Sequence, residues 1–405
     1  VSGPATFRAW RVADLAGGTH LGTAATPAGL VLADPVGTRR HPTSAVGPGG
    51  IEQPERRYAW AAWVSPEVRP GHRFTSLVPS WNAATPGDSW LEVEARTSVD
   101  GTTWTRWYSL GRWAETNAEI ARTSTTGQAD AGAGVRVDEL IAPEAVTWSA
   151  YQLRVLLHRR PDSVAVPTVR LLGAVVADER PGPPAAAAAP RGSSGPARGL
   201  ELPVPPYSQQ LHRGEYPQWD SGGAAWCSPT STTMLLARWG LGPKPEELTW
   251  VDPSFPDRFV NFAAWHVFDR AYGGAGNWSF NAAYAARYGA EAFVTRLRSL
   301  DEAELFIAAG IPLAVSVTFQ RDELDGAGYD TTGHLLTIIG FDPEGHVVCN
   351  DPASHEIASN DEVRVVYDRA QFERAWQEGS GGVAYVVHPP EVPLPAHPDP
   401  ASPRW

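Results

Sequence analysis

Over residues 1 to about 180, apolar and polar positions alternate with a period of two. The clearest run sets Leu91, Val93, Ala95, Thr97 and Val99 against Glu92, Glu94, Arg96 and Ser98, the pattern of a half-buried strand. Asp100-Gly101 follows at once, a strong hairpin signal, and Thr103 to Tyr108 is expected to run back beside it. Tyr151 to Leu157 and Val169 to Val176 read as further strands, with turn signals such as Thr85-Pro86-Gly87-Asp88 between runs. The pattern predicts an all-β sandwich over residues 1–180.

Residues 181–199 lose all periodicity. Pro-Gly-Pro-Pro, five alanines and Arg-Gly-Ser-Ser-Gly-Pro predict an exposed, semi-extended linker. From 200 to 388 the period changes. Helical spacing covers Cys227 to Trp239, Pro256 to Tyr272, Asn281 to Tyr288 and Asp301 to Ala309. Strand-like runs come late, at Pro312 to Phe319, His334 to Gly340, His346 to Asn350 and Val383 to Val387. Helices followed by an antiparallel sheet predict an α+β domain. Residues 389–405 form a Pro-rich tail expected to lie on the surface or to be disordered.

At 405 residues, 42% of them hydrophobic, the chain has room for two globular cores. A net charge of −12 argues against nucleic acid as the main partner, which needs clustered positive charge. No apolar run reaches the length of a membrane helix. Val1 is no initiator, so a secretory signal is expected to have been removed. Low lysine, many tryptophans and Pro-rich spacers fit an exported protein. The Ala, Gly and Pro content is that of a GC-rich bacterial genome, here read as Gram-positive.

The stretch Trp226-Cys227-Ser228-Pro229-Thr230-Ser231 then carries the candidate chemistry. Gly222-Gly223 loosens the backbone before it. Ser228, Thr230 and Ser231 offer capping hydroxyls, Pro229 suits a first turn, and Gly240 supplies the stop. Met234, Leu235 and Trp239 recur at helical spacing and predict an apolar inward side. A thiol at a helix start feels the positive end of the dipole, which favours the nucleophilic thiolate.

The second informative run is Gly333-His334 through Asp342-Pro343-Glu344-Gly345 to Cys349-Asn350-Asp351-Pro352. Folding this hairpin about its turn makes His334 and Asp351 diagonal neighbours, and a β-bulge would correct a mismatch of one residue. Asp351 then holds one imidazole nitrogen while the other faces Cys227, the orienter, base and nucleophile logic of a cysteine hydrolase. A developing oxyanion needs donors. The Cys227 N–H is one; Gln209, on the Pro-fixed segment from Val204, is the expected second, with Gln218 the runner-up.

These segments resemble family thirty-nine cysteine peptidases: the bacteriocin-processing (double-glycine) peptidases of papain fold and their free-standing secreted relatives. The resemblance covers about 200–388 and includes Gly276-Asn277-Trp278-Ser279-Phe280-Asn281. It implies Gln209, Cys227, His334 and Asp351 as oxyanion donor, nucleophile, base and orienter, and a peptide or protein substrate. The sequence holds no ATP-binding or membrane-spanning part, so bacteriocin export is not implied. Residues 1–180, through Ser98 to Trp104, resemble the jelly-roll sandwiches appended to secreted bacterial enzymes. There Trp60, Trp63, Trp81, Trp90, Trp104, Trp107 and Trp113 are either core or a platform for a cell-wall or carbohydrate ligand.

The alternatives are a non-catalytic papain-like binding module and an acyltransferase resolving the same thioester with an amine. Trp226 and Trp278 are candidate substrate-binding residues, with Trp219 and Trp265 nearby. Cys349 reads as a buried free thiol, with a disulfide to Cys227 as the alternative. No cofactor is expected: zinc-ligand spacing is absent, and Asp322, Asp325 and Asp330 lack the calcium-loop pattern.

Overall fold

The computed structural model describes residues 3–46, 52–180 and 195–405, with 42–46 and 52–54 described by their backbone alone. The chain divides into two compact units. One takes Arg8–Ala177 and Phe268–Gly273; the other takes Val1–Phe7, Asp178–Val267 and Gly274–Trp405.

The alternating N-terminal pattern forms thirteen strands. They are β1 (Ala5–Arg11), β2 (Thr19–Leu21), β3 (Thr23–Thr26), β4 (Gly29–Leu32), β5 (Gly37–Val46), β6 (Glu52–Val64) and β7 (Ser76–Ala84). Then follow β8 (Trp90–Ser98), β9 (Tyr108–Trp113), β10 (Gly134–Arg136), β11 (Glu139–Ile141), β12 (Ala150–Arg159) and β13 (Thr168–Ala177). One antiparallel sheet runs β10-β11-β7-β13-β4-β3, with β1 on β13; the other runs β2-β6-β12-β8-β9, with β5 on β6. Leu91, Val93 and Ala95 of β8 are fully buried, as are Leu153, Val155 and Leu157 of β12. Their even-numbered neighbours, Glu94 against Arg154 and Arg96 opposite Gln152, therefore lie on the other side of this sheet.

The Asp100-Gly101 turn forms, with Asp100 Oδ1 accepting the N–H groups of Thr102 and Thr103 at 2.8 and 2.7 Å. The return strand does not start at Thr103 as the alternation suggested. Only Trp104 bridges back to Ser98, and regular pairing resumes at Tyr108 opposite Ala95. Asp100 satisfies the first return amides itself, so the ladder is not needed there.

The other unit places helices against a seven-stranded antiparallel sheet. Its elements are β14 (Leu200–Glu201), α1 (Cys227–Arg238), α2 (Arg258–Val267), α3 (Trp278–Ala286), β15 (Glu291–Arg296), α4 (Leu300–Ala308) and β16 (Leu313–Phe319). They continue with β17 (Thr331–Phe341), β18 (Val347–Asn350), β19 (Arg364–Tyr367), α5 (Arg369–Ser380) and β20 (Val383–His388). Sheet order is β15-β20-β16-β17-β18-β19, with β14 on β17. Periodicity missed β15, β19 and α5. Helix α5 was legible by its ends: Asp368 Oδ1 caps Ala370 and Gln371, and Gly381 takes the left-handed conformation that ends it.

Several boundaries move. Helix α2 stops at Val267, because Asp269 accepts the Ser124 N–H at 2.9 Å and the Arg270 N–H bonds Arg122 O. Helix α3 begins at Trp278, three residues early, because the Asn277 side chain accepts the Phe280 N–H at 2.9 Å. Of the expected linker, residues 181–194 fall outside the described residues. Of its last five, Ala197 is buried and the Gly199 N–H bonds Asp342 O.

The Pro-rich tail lies at the surface, with none of residues 389–405 buried, and is anchored at its end. Arg404 pairs with Glu302, the Trp405 ring meets Phe306 edge-on at 4.8 Å, and its indole N–H donates to Pro395 O at 2.7 Å. Proline lowers the entropy lost when such a segment is fixed, so a few terminal anchors hold it.

Candidate active site

Helix α1 sits centrally on the sheet. Its first half is not an apolar stripe: Ser228, Thr230, Ser231 and Thr232 are all fully buried. The hydroxyls reach sideways instead of capping. Ser228 Oγ meets the Tyr385 hydroxyl at 2.9 Å, Ser231 donates to Leu335 O at 3.0 Å, and Thr232 donates to Asn281 Oδ1 at 3.0 Å. These bonds fix α1 against β20, β17 and α3. The N-cap is Trp226, with no side-chain bond to the first turn, so the leading N–H groups, that of Cys227 included, keep no intrahelical acceptor.

Cys227 is the first residue of α1 and half-buried. His334 lies on β17, next to the Leu335 carbonyl that holds Ser231, with the Cys227 side chain near enough to raise its basicity. His334 Nε2 meets Asp351 Oδ1 at 2.8 Å, which leaves Nδ1 for the sulfur. Burial alone lowers the basicity of the ring. The Asp351 carboxylate, its hydrogen bond and the Cys227 contact outweigh that and push His334 up to about 10.

Asp351 is fully buried and completely satisfied. Oδ1 accepts from His334 and from the Ala353 N–H at 2.9 Å; Oδ2 accepts from the Tyr329 and Tyr367 hydroxyls at 2.7 and 2.6 Å. Burial would raise its carboxyl, yet the His334 charge and these donors hold it below the ordinary range. Sequence reasoning missed both tyrosines. Tyr329 belongs to the loop before β17 and Tyr367 ends β19, a strand that carries no periodic signal. The Tyr329 ring also meets the His334 ring edge-on at 5.5 Å.

Gln209 opens a short 3-10 turn, Gln209–His212, and is buried. Its Nε2 donates to Ala224 O at 3.0 Å, three residues before the thiol. An amide NH2 carries two hydrogens, so one remains for a ligand. Gln218 sits exposed in a turn. Gly223 keeps Gln209 in place by close approach, since a Cβ there would stand 2.3 Å from Gln209 O. The loosening expected of Gly222-Gly223 is thus two requirements: Gly222 has φ 71° and Gly223 has no room for a side chain.

Trp226 is fully buried, with its indole N–H on Trp219 O at 2.6 Å; it presents no face to a substrate, and packing accounts for it. Trp278 is half-buried, with the Arg296 guanidinium 6.0 Å from its ring. The segment Gly276 to Asn281 acts through its asparagines. Asn281 Nδ2 donates to the Ala275 and Asn277 carbonyls while its Oδ1 receives Thr232, tying α3 to α1. Cys349 is buried, unbridged and pushed well up by burial and then by Asp351. Asp325 bonds Gln371, and Asp330 accepts the Arg321 N–H.

Among the described residues no helix is long and apolar enough to cross a membrane. Residues 6–177 match the Peptidase C39 N-terminal domain, and residues 201–383 match the Peptidase C39 like family. No curated protein matches the chain. Among solved structures, a carbohydrate-binding module of the β-sandwich superfamily aligns with 43% of this chain and 56% of its own, at 9% identity and a TM-score of 0.16. A structure of infectious bursal disease virus, Gt strain, aligns with 44% of this chain and 63% of its own, at 11% identity and a TM-score of 0.10. The chain thus spans less than two thirds of either. Two adjoining matches, one to each unit's main segment, identify the chain as a member of the C39-like peptidase family carrying that family's N-terminal domain.

Proposed function

We propose that this chain is a secreted cysteine peptidase whose C-terminal domain has a papain-like fold and hydrolyses amide bonds through Cys227, His334 and Asp351. The observation that carries the reading is His334, bonded to buried Asp351 through Nε2, with Cys227 close enough to act on its basicity. With Asp351 beside it the imidazole holds its proton at neutral pH, and the imidazolium is the counter-ion of an attacking thiolate. The sulfur adds to the scissile carbonyl. The oxyanion meets the Cys227 N–H and the free hydrogen of Gln209 Nε2. His334 gives its proton to the departing amine, leaving a thioester. Water then attacks, returns a proton to His334, and the acid product leaves with the thiolate restored.

A peptide library digested with the full chain tests this. Cleavage abolished in Cys227→Ala, with unchanged melting, and in His334→Ala, which melts lower because buried Asp351 loses its imidazole partner, is expected; full activity in Cys227→Ala removes the proposal. Iodoacetamide near pH 6 is expected to label one thiol in the native chain and two after denaturation, since Cys349 is buried. A product carrying an added amine in place of a free carboxylate would point to acyl transfer, and a thiol inert to iodoacetamide to a binding module.

A further inference from the structure

The seven tryptophans named as core or platform separate into two classes. Trp63, Trp81, Trp90 and Trp113 are buried and are packing. Trp60, Trp104 and Trp107 are half-exposed, and guanidinium groups tie them into one surface on the outer side of the β6-β12-β8 sheet. Arg39 lies over Trp60 at 3.5 Å, Arg154 over Trp107 at 4.4 Å, and Arg96 between Trp104 at 4.8 Å and Trp107 at 4.7 Å.

Charge on this face is unbalanced. Arg154 is paired with Glu94, but among the described residues neither Arg39 nor Arg96 has a carboxylate partner. Arg96 reaches only the Gln152 amide oxygen, at 3.0 Å from Nε. Burial first, and then the Arg154 charge, holds both below the usual guanidinium range. Three cations thus crowd one aromatic surface in a chain of net charge −12, which an arriving anion relieves. A guanidinium over an indole leaves its N–H edge open, and Arg39, which holds no carboxylate, can offer that edge to a bidentate carboxylate.

We propose that this face binds a carboxylate-bearing glycan, of the uronate class. Arg39 takes the carboxylate, and Glu94 accepts a sugar hydroxyl beside its bond to Arg154. The open parts of the indoles take the C–H faces, whose partial positive charge suits the ring quadrupole. A polyphosphate fits less well, because it has no apolar C–H faces to lay on the three indoles. An acidic peptide fits less well too, because a sheet face offers no free backbone groups to pair with an extended chain.

The test is titration of the full chain with hexagalacturonate at two salt concentrations, read by tryptophan fluorescence and calorimetry. Salt-weakened binding is expected, with at least tenfold loss for the carboxyl-reduced hexasaccharide. Arg39→Ala should lose at least tenfold and Arg39→Lys, which keeps charge without the fork, should recover only part. Near-UV circular dichroism and melting confirm that each variant is folded. No binding, equal binding of the neutral oligosaccharide, or tighter binding of polyglutamate or DNA would overturn the proposal. This site stands apart from the peptidase reading, so neither result decides the other.

Discussion

His334 and Asp351 meet because strand β17 carries one surplus residue, Ile339. Near the turn Phe341 faces Val347 and Gly340 faces Val348, whereas beyond Ile339 the pairs are Ile338 with Cys349 and Thr337 with Asn350. If the first register ran through, Asp351 would stand opposite Thr337 and turn away from His334. The bulge sets it opposite Leu336, two residues from His334 and on the same face. Asp351→Asn is therefore expected to keep the geometry and lose the charge. The carboxylate is the chief influence raising His334 against its burial, so the alkaline limb of kcat/KM falls well below its wild-type position near 10. Kinetics across pH on both forms reads this directly; an unmoved limb would show that Asp351 does not set the basicity of His334.

The two tyrosines on Asp351 give a prediction in stability. Tyr329→Phe or Tyr367→Phe alone leaves Oδ2 one donor, and each is expected to cost about 1–2 kcal/mol in urea unfolding. The double variant strands one oxygen of a buried carboxylate, so its cost should exceed the sum of the singles. The pH dependence follows from the sign. A depressed carboxyl contributes stability above its unfolded value and loses it as pH falls through the folded one. Fewer donors raise the folded value, so the double variant should begin to lose this contribution at higher pH.

Gly223→Ala tests the support under Gln209. The new methyl would meet backbone atoms at 2.3 and 2.4 Å, Gln209 O and His212 C, and neither can swing aside. Overpacking of this kind costs about 1–3 kcal/mol, and a displacement of even 1 Å in a positioned group can cost about 10²-fold in rate. Turnover should fall about a hundredfold while iodoacetamide still labels Cys227, because alkylation passes through no oxyanion. Gln209→Ala is expected to show the same split with normal melting. Parallel loss of labelling and turnover would mean that Gly223 supports the thiol itself.

How much of this was legible in the sequence depends on range. Cys227, His334 and Asp351 stand in short motifs at element ends, where turn and helix-start signals are strong, and the sequence placed all three at sites a fold can unite. The sequence allowed for a one-residue bulge but did not place it at Ile339. Tyr329 and Tyr367 were not legible, since their role exists only once β19 lies beside β18. The hydroxyls of α1 misled for the same reason: Ser and Thr at a helix start read as caps, but a helix buried on all sides sends them to its neighbours. Tryptophan count could not separate packing rings from open ones, because open Trp60 and buried Trp63 share one strand while Trp104 and Trp107 fall in the irregular return before β9.

The tail supplies the last prediction. Arg404 is mostly buried against Glu302, with side-chain exposures of 12% and 8%, and its carbonyl receives the Thr295 hydroxyl. Glu302 also accepts the Arg298 N–H at 2.9 Å, so Arg404→Ala leaves that carboxylate partly satisfied. Loss of the charged hydrogen bonds should then cost about 2 kcal/mol. Trp405→Ala uncovers part of the buried Phe306 ring and should cost a similar amount through lost apolar contact. Both act on one short segment, so the double variant is expected to lose less than the sum, since releasing either anchor already frees the other. Urea unfolding of the three variants measures this. Strict additivity would mean that the two residues hold the domain independently and that the intervening prolines transmit nothing.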